Sequence, residues 1–127
     1  MKKNDVWDAL RAFPYDKGEY WLITGGAMVA YGFREETGDV DLGCTSPLAD
    51  RLEADGYFYK TLPDGSRQFK YGEDIEIFEN WLCDGTAEIE GFRVVTPKGL
   101  IEMKRALGRE KDLRDVSLIE AALAREL

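Results

Sequence analysis

Histidine is missing from this 127-residue chain, and its absence removes whole classes of chemistry. Without it there is no Ser-His-Asp or Cys-His catalysis and no HExxH zinc motif. Cysteine is scarce as well: Cys44 and Cys83 cannot make a four-cysteine zinc site. No apolar run is long enough to span a bilayer, so no membrane partner is expected. The first residues, Met1 to Asp8, are polar and charged and do not read as a signal peptide. A cytoplasmic protein with reduced thiols is the simplest expectation. Basic charge is also short, with 17 Lys and Arg against 25 Asp and Glu for a net charge of −8. Extended nucleic-acid binding, which needs a basic footprint, is not expected.

What is present is a chain with 44% hydrophobic and 12% aromatic residues, enough for one core and one domain over 1–127. A chain this short carries its whole site on one unit or borrows surface, so a homodimer or hetero-complex is a possible partner arrangement. Chemistry is left to carboxylates, lysines, arginines, hydroxyls and backbone. Carboxylates favour hard cations such as Mg2+ or Mn2+.

Periodicity predicts a helix over 4–13, capped by Asn4 and stopped at Pro14, and a buried strand over 20–24. Gly25-Gly26 then reads as the turn into a small-residue helix, Ala27 to Phe33. A strand over 39–44 precedes a helix opened by Ser46-Pro47 and ended by Gly56. Strands follow over 57–61, 67–71 and 74–78, then a short hairpin about Gly91. Thr96-Pro97 opens a helix to Gly108, and a last helix begins near Lys111. This order predicts an α+β domain, a mixed β-sheet with helices packed on one face.

Asp39-Val40-Asp41 places two carboxylates two residues apart on a strand, so both project from one face. Two such charges repel unless a cation lies between them, and a divalent metal is the natural cation. Asp74-Ile75-Glu76-Ile77 repeats the pattern and offers a third carboxylate if the strands are neighbours. The competing interpretation is a solvated sheet face, since acidic alternation is common there. Gly25-Gly26, between a strand and a helix, permits close backbone approach to a phosphate, and equally suits a plain turn. Lys104 is either a phosphate contact or a lysine flanking an apolar stripe. Arg34 and Arg67 are open to phosphate contact or solvation, and Tyr57, Tyr59 and Trp81 to base stacking or core packing.

Thr24-Gly25-Gly26-Ala27, the helix to Gly32, and Thr37-Gly38-Asp39-Val40-Asp41-Leu42 together resemble the signature of the DNA polymerase β-like nucleotidyltransferase superfamily. The likeness is to its small bacterial members, the minimal, AbiEii-like and antibiotic-modifying ones. Leu100 to Lys104, then Gly108 to Asp112 and Asp115, also resemble these members. The resemblance implies transfer of a nucleoside monophosphate from a nucleoside triphosphate to a hydroxyl acceptor, with pyrophosphate released. It implies Asp39, Asp41 and Glu76 (or Asp74) as metal and catalytic residues. It implies Gly25, Gly26 and Lys104 as the nucleotide's phosphate contacts. The acceptor and the base stay open. Two departures from the family pattern stand out: Ala27 where Ser is frequent, and Glu76 where Asp is usual. The longer Glu arm moves its carboxylate by about 1.5 Å. An alternative reading is a catalytically degenerate member acting as a binding or antitoxin-type partner protein.

Overall fold

The computed structural model describes residues 1–126. Among these residues one seven-stranded sheet carries five α-helices and a 3-10 turn, the mixed α+β architecture expected. The strands are β1 (Tyr20–Ile23), β2 (Val40–Cys44), β3 (Tyr59–Thr61), β4 (Arg67–Tyr71), β5 (Ile75–Glu79), β6 (Thr86–Ile89) and β7 (Phe92–Val95). Their spatial order is β3-β4-β5-β2-β1-β7-β6. β2 runs antiparallel to β1 and parallel to β5, and β7 is parallel to β1. The helices are α1 (Lys3–Ala12), α2 (Thr24–Ala30), α3 (Ser46–Ala54), α4 (Pro97–Leu107) and α5 (Glu110–Arg125).

The register shows why the sheet holds. Ile77, Leu42, Leu22 and Val94 pair in sequence across β5, β2, β1 and β7, and all four are fully buried. A strand's side chains alternate between faces, so this apolar row forces its neighbours on β2 and β5, Asp41 and Glu76, to the other face. α2 lies across β1, β2 and β7, with α1 and α4 packed on it and α5 on α4. Burying each large apolar side chain of this core contributes roughly 1.5–3 kcal/mol.

Several element ends differ from expectation for local reasons. Thr45, not Ser46, caps α3, its hydroxyl accepting from Leu48 N at 3.3 Å. At α1 the cap is Lys2 rather than Asn4, with Asp5 accepting from Lys2 N at 2.8 Å. The largest difference is at α2. It starts at Thr24, so Gly25 and Gly26 lie in its first turn rather than in a loop before it. The helix also ends at Ala30, short of Phe33. The β1–α2 junction is so tight that Thr24 takes φ +48, a left-handed conformation unusual for a β-branched residue. α4 matches its signals: Thr96 accepts from Gly99 N at 3.1 Å, Pro97 follows, and Gly108 closes the helix at φ +65. Both cysteines are free thiols. Among the described residues no helix is long and apolar enough to cross a membrane.

Candidate functional site

A cleft of about 410 Å³ opens where the start of β2 meets the start of α2 and the α4–α5 corner. Its wall includes Thr24, Gly25, Arg34, Asp39, Asp41 and Lys104. Gly25, Arg34, Asp39, Asp41, Trp81 and Lys104, all singled out in the sequence, thus meet in one place, although they span eighty positions of chain.

Asp41 is the inner carboxylate. Thr24 Oγ1 donates to its Oδ2 at 2.7 Å, while its buried Oδ1 has no hydrogen-bond partner. Burial raises its pKa to about 6, and the charges of Asp39 and Glu76 push the same way. The Thr24 hydrogen bond and the Lys104 charge oppose that rise. A buried carboxylate oxygen without a donor is costly in any fold, so it marks a place open to a further hydrogen-bond donor or a cation. Asp39, just before β2, is exposed at the rim of the same cleft.

Glu76 is in register with Asp41 on the adjacent strand, and its charge is felt there. Its carboxylate is turned toward β4, however, and accepts from Gln68 Nε2 at 3.0 Å. Glu76 accordingly lines a neighbouring hollow with Lys60, Lys70 and Phe58 rather than the main cleft. Asp74, the other choice for a third carboxylate, precedes β5 and is exposed; its carbonyl accepts from Val40 N at 2.8 Å. Among the described residues no three acid or thiol side chains are gathered tightly enough to hold one ion. Among the described residues, the cleft carboxylates in no ion pair are Asp39 and Asp41, the latter with its unpartnered Oδ1. Hard oxygen donors of this kind suit Mg2+, which is commonly held by one or two carboxylates plus substrate phosphates and water.

The two glycines do different things. A Cβ on Gly25 would strike the Thr37 hydroxyl and come within 3.4 Å of Arg34 Nη1. A Cβ on Gly26 would come within 2.7 Å of Leu22 Cδ1, so this glycine lets α2 close onto β1. Gly25 lines the cleft, whereas Gly26 is buried behind it.

The opposite wall is cationic. Lys104 is buried, its ammonium 3.0 Å from Asp115 and 3.6 Å from Asp112. Arg34 Nη2 donates to both Asp115 oxygens at 2.6 Å. Burial works to raise Asp115, but the Arg34 and Lys104 hydrogen bonds and charges outweigh it and hold its pKa low. Asp112 is held low in the same way, by Arg109 and Lys104 against burial. Trp81 and Phe78 close a third side, their rings meeting edge-on. Trp81 is held there by its carbonyl, which accepts from Trp21 Nε1 at 2.8 Å. Tyr57 and Tyr59 instead pack on Tyr71 and Phe69, and Arg67 binds Glu79, Asp50 and Glu53 away from the cleft.

The Thr24 hydrogen bond to Asp41 and the pairing of Arg34 with Asp115 were not foreseen, although Asp115 was open to being part of a salt-bridged brace for the site. The Thr24-Gly25-Gly26 run carried a signal for the first. The second joins residues 81 positions apart, which spacing cannot reveal.

The α+β fold is similar to that of two solved structures. ANT(2″)-Ia, crystallised in complex with adenylyl-2″-tobramycin, superposes with a TM-score of 0.59 at 18% identity, over 98% of this chain and 87% of that one. The Megavirus polyadenylate synthase superposes with a TM-score of 0.59 at 15% identity, over 94% of this chain. That alignment takes in 33% of the viral chain, so this protein spans about a third of it. No protein-family model and no curated sequence matches the chain.

Proposed function

We propose that this protein is, as a single domain, a divalent-metal-dependent nucleotidyltransferase. In the proposed reaction an acceptor hydroxyl attacks the α-phosphorus of a nucleoside triphosphate. The new P–O bond forms as the bond to the β-phosphate oxygen breaks, and pyrophosphate leaves. The observation that carries this reading is the unpartnered buried Oδ1 of Asp41 in a cleft shared with Asp39, Gly25 and a cationic wall.

Asp39 and Asp41 would hold Mg2+ or Mn2+. When bound, such an ion supplies charge stabilisation at the phosphoryl oxygens and acidifies the attacking hydroxyl. Thr24 fixes the Asp41 carboxylate so that Oδ1 stays turned to the ligand. Gly25 keeps the floor low, and the free N–H groups in the first turn of α2 meet phosphate oxygens. The positive wall, through Arg34 at the cleft surface, offsets the charge that grows on the leaving pyrophosphate. Glu76, one strand from Asp41, would receive the hydroxyl proton, a role that requires its carboxylate to turn from Gln68 toward the cleft. The two fold relatives, one holding an adenylylated product and one a polyadenylate synthase, support transfer of an adenylyl group as the first chemistry to try.

The test is calorimetric titration with ATP, GTP, CTP and UTP, with and without Mg2+, on the wild type and on Asp39→Asn/Asp41→Asn. Mg2+-dependent triphosphate binding, lost in the double variant, is the expected result. Full binding and transfer by that variant would overturn the proposal. No triphosphate binding by the wild type would favour the degenerate, partner-binding alternative.

A further inference from the structure

We infer that Arg34, held in place by Asp115, is the side chain that grips the triphosphate, and that Lys104 acts only through Asp115. This rests on the nucleotidyltransferase reading above and assigns its phosphate contact.

Lys104 is the cation the sequence points to, but its side chain is only 6% exposed. Its ammonium is already committed to two carboxylates, Asp115 at 3.0 Å and Asp112 at 3.6 Å. Moving it to a ligand would leave both aspartates short of a partner in a dry site, a steep loss. Arg34 is in the opposite position. Its side chain is 35% exposed at the cleft. Only Nη2 is used, on Asp115. Among the described residues, Nη1 and Nε donate to no protein acceptor. Nη1 is also the atom facing Gly25, where the missing Cβ leaves room.

A guanidinium suits this division of labour. One edge is anchored to a carboxylate while the remaining N–H groups point at a phosphate, which a lysine cannot do. Arg34 follows α2 by a few residues and has no helix to hold it, so its aim depends on Asp115. Asp115 in turn is fixed from behind by Lys104. The chain of positions runs Lys104, Asp115, Arg34, ligand. Two other cations line the cleft: Arg109, tied to Asp112 at 2.6 Å, and Lys111, exposed in the first turn of α5. Neither faces Gly25 as Arg34 does.

The experiment titrates the full chain with inorganic tripolyphosphate and with Mg·ATP, alongside thermal melts, for Arg34→Gln, Arg34→Lys, Asp115→Asn and Lys104→Met. Arg34→Gln is expected to weaken both ligands by about tenfold or more, since a charge-assisted hydrogen bond is lost. Its melting temperature should stay close to wild type, and Arg34→Lys should recover part of the affinity. Asp115→Asn should weaken both ligands and lower the melting temperature. Lys104→Met should melt earlier, yet bind within about threefold of wild type when titrated below its transition, a change well under the loss of a charged contact. Wild-type affinity in Arg34→Gln, or lost binding in a folded Lys104→Met, would overturn the assignment alone. A wild type that binds neither ligand would overturn the nucleotidyltransferase reading with it.

Discussion

Two pairs of aspartates lie at the same cleft, with Asp112 buried out of its lining, and have opposite fates. Asp112 and Asp115 on α5 are buried, and each is met by a cation: Lys104 for both, Arg109 for the first, Arg34 for the second. Their pKa values are held below the ordinary carboxylate range despite burial. Among the described residues, Asp39 and Asp41 on the sheet side form no ion pair, and burial raises Asp41 to about 6. The first pair is finished by the protein. In the second, Asp41 Oδ1 has no hydrogen-bond partner among the described residues, and under the proposed function an outside cation would complete it. Net charge alone does not distinguish the two; it is the partners of each carboxylate that do.

The sharpest way to break this comparison is to damage the completed pair. Asp112→Ala removes a fully buried carboxylate that accepts from Arg109 N and Nε at the start of α5 and faces Lys104. The loss should be about 3–5 kcal/mol, because Lys104 keeps its charge with one partner fewer. Urea denaturation would measure it. A loss below about 1 kcal/mol, the range of a surface ion pair, would show that this network is no better than one.

The incomplete pair should respond with the other sign. Asp41→Asn keeps an oxygen to accept from Thr24 and removes a charge that the folded state disfavours. The folded pKa of Asp41 is raised from 3.8 to about 6. Its favourable contribution is thus present below about pH 4 and is lost as pH climbs through about 6. The metal-free variant should be more stable than wild type at pH 8, by up to about 3 kcal/mol from a two-unit shift. The difference should shrink toward pH 4. Denaturation curves across that range would show it, and a variant less stable at every pH would mean that Asp41 is already satisfied.

How much of this was legible differs between the pairs for a physical reason. The strand pair was readable because alternation is local: Asp39-Val40-Asp41 fixes which residues face outward once Val40 and Leu42 are buried. Glu76 was readable to the same extent, as a register partner of Asp41, but not its turn toward Gln68, which depends on a third strand. Gly25-Gly26 follows β1 as its strand-to-helix signal suggested, but the two glycines have different surroundings. One glycine opens the cleft and the other seats a helix on Leu22, and only packing separates them. The helix start at Thr24 was missed because Gly-Gly ordinarily disfavours helix interior, and here the tight packing of α2 on β1 overrides that propensity. The Arg34–Asp115–Lys104 chain joins a loop and two helices, and neither helical periodicity nor spacing encodes such a contact.

The smallest expected change in stability separates the two aspartates of the incomplete pair. Asp39 is exposed and, among the described residues, its carboxylate makes no hydrogen bond or ion pair. Asp39→Asn should therefore move stability by no more than about 0.5 kcal/mol, as for other exposed positions. Its charge nevertheless acts on Asp41, so removing it should lower the Asp41 pKa from about 6. Carbon-13 NMR titration of the carboxylates would follow that change directly. Mg2+ affinity should fall in the same variant, because one of two donors is gone. If affinity holds while stability and titration behave as expected, Asp39 is only a neighbouring charge and Asp41 alone is the ligand. If all three change together, the pair acts as one binding unit whose cost to folding falls almost wholly on its inner member.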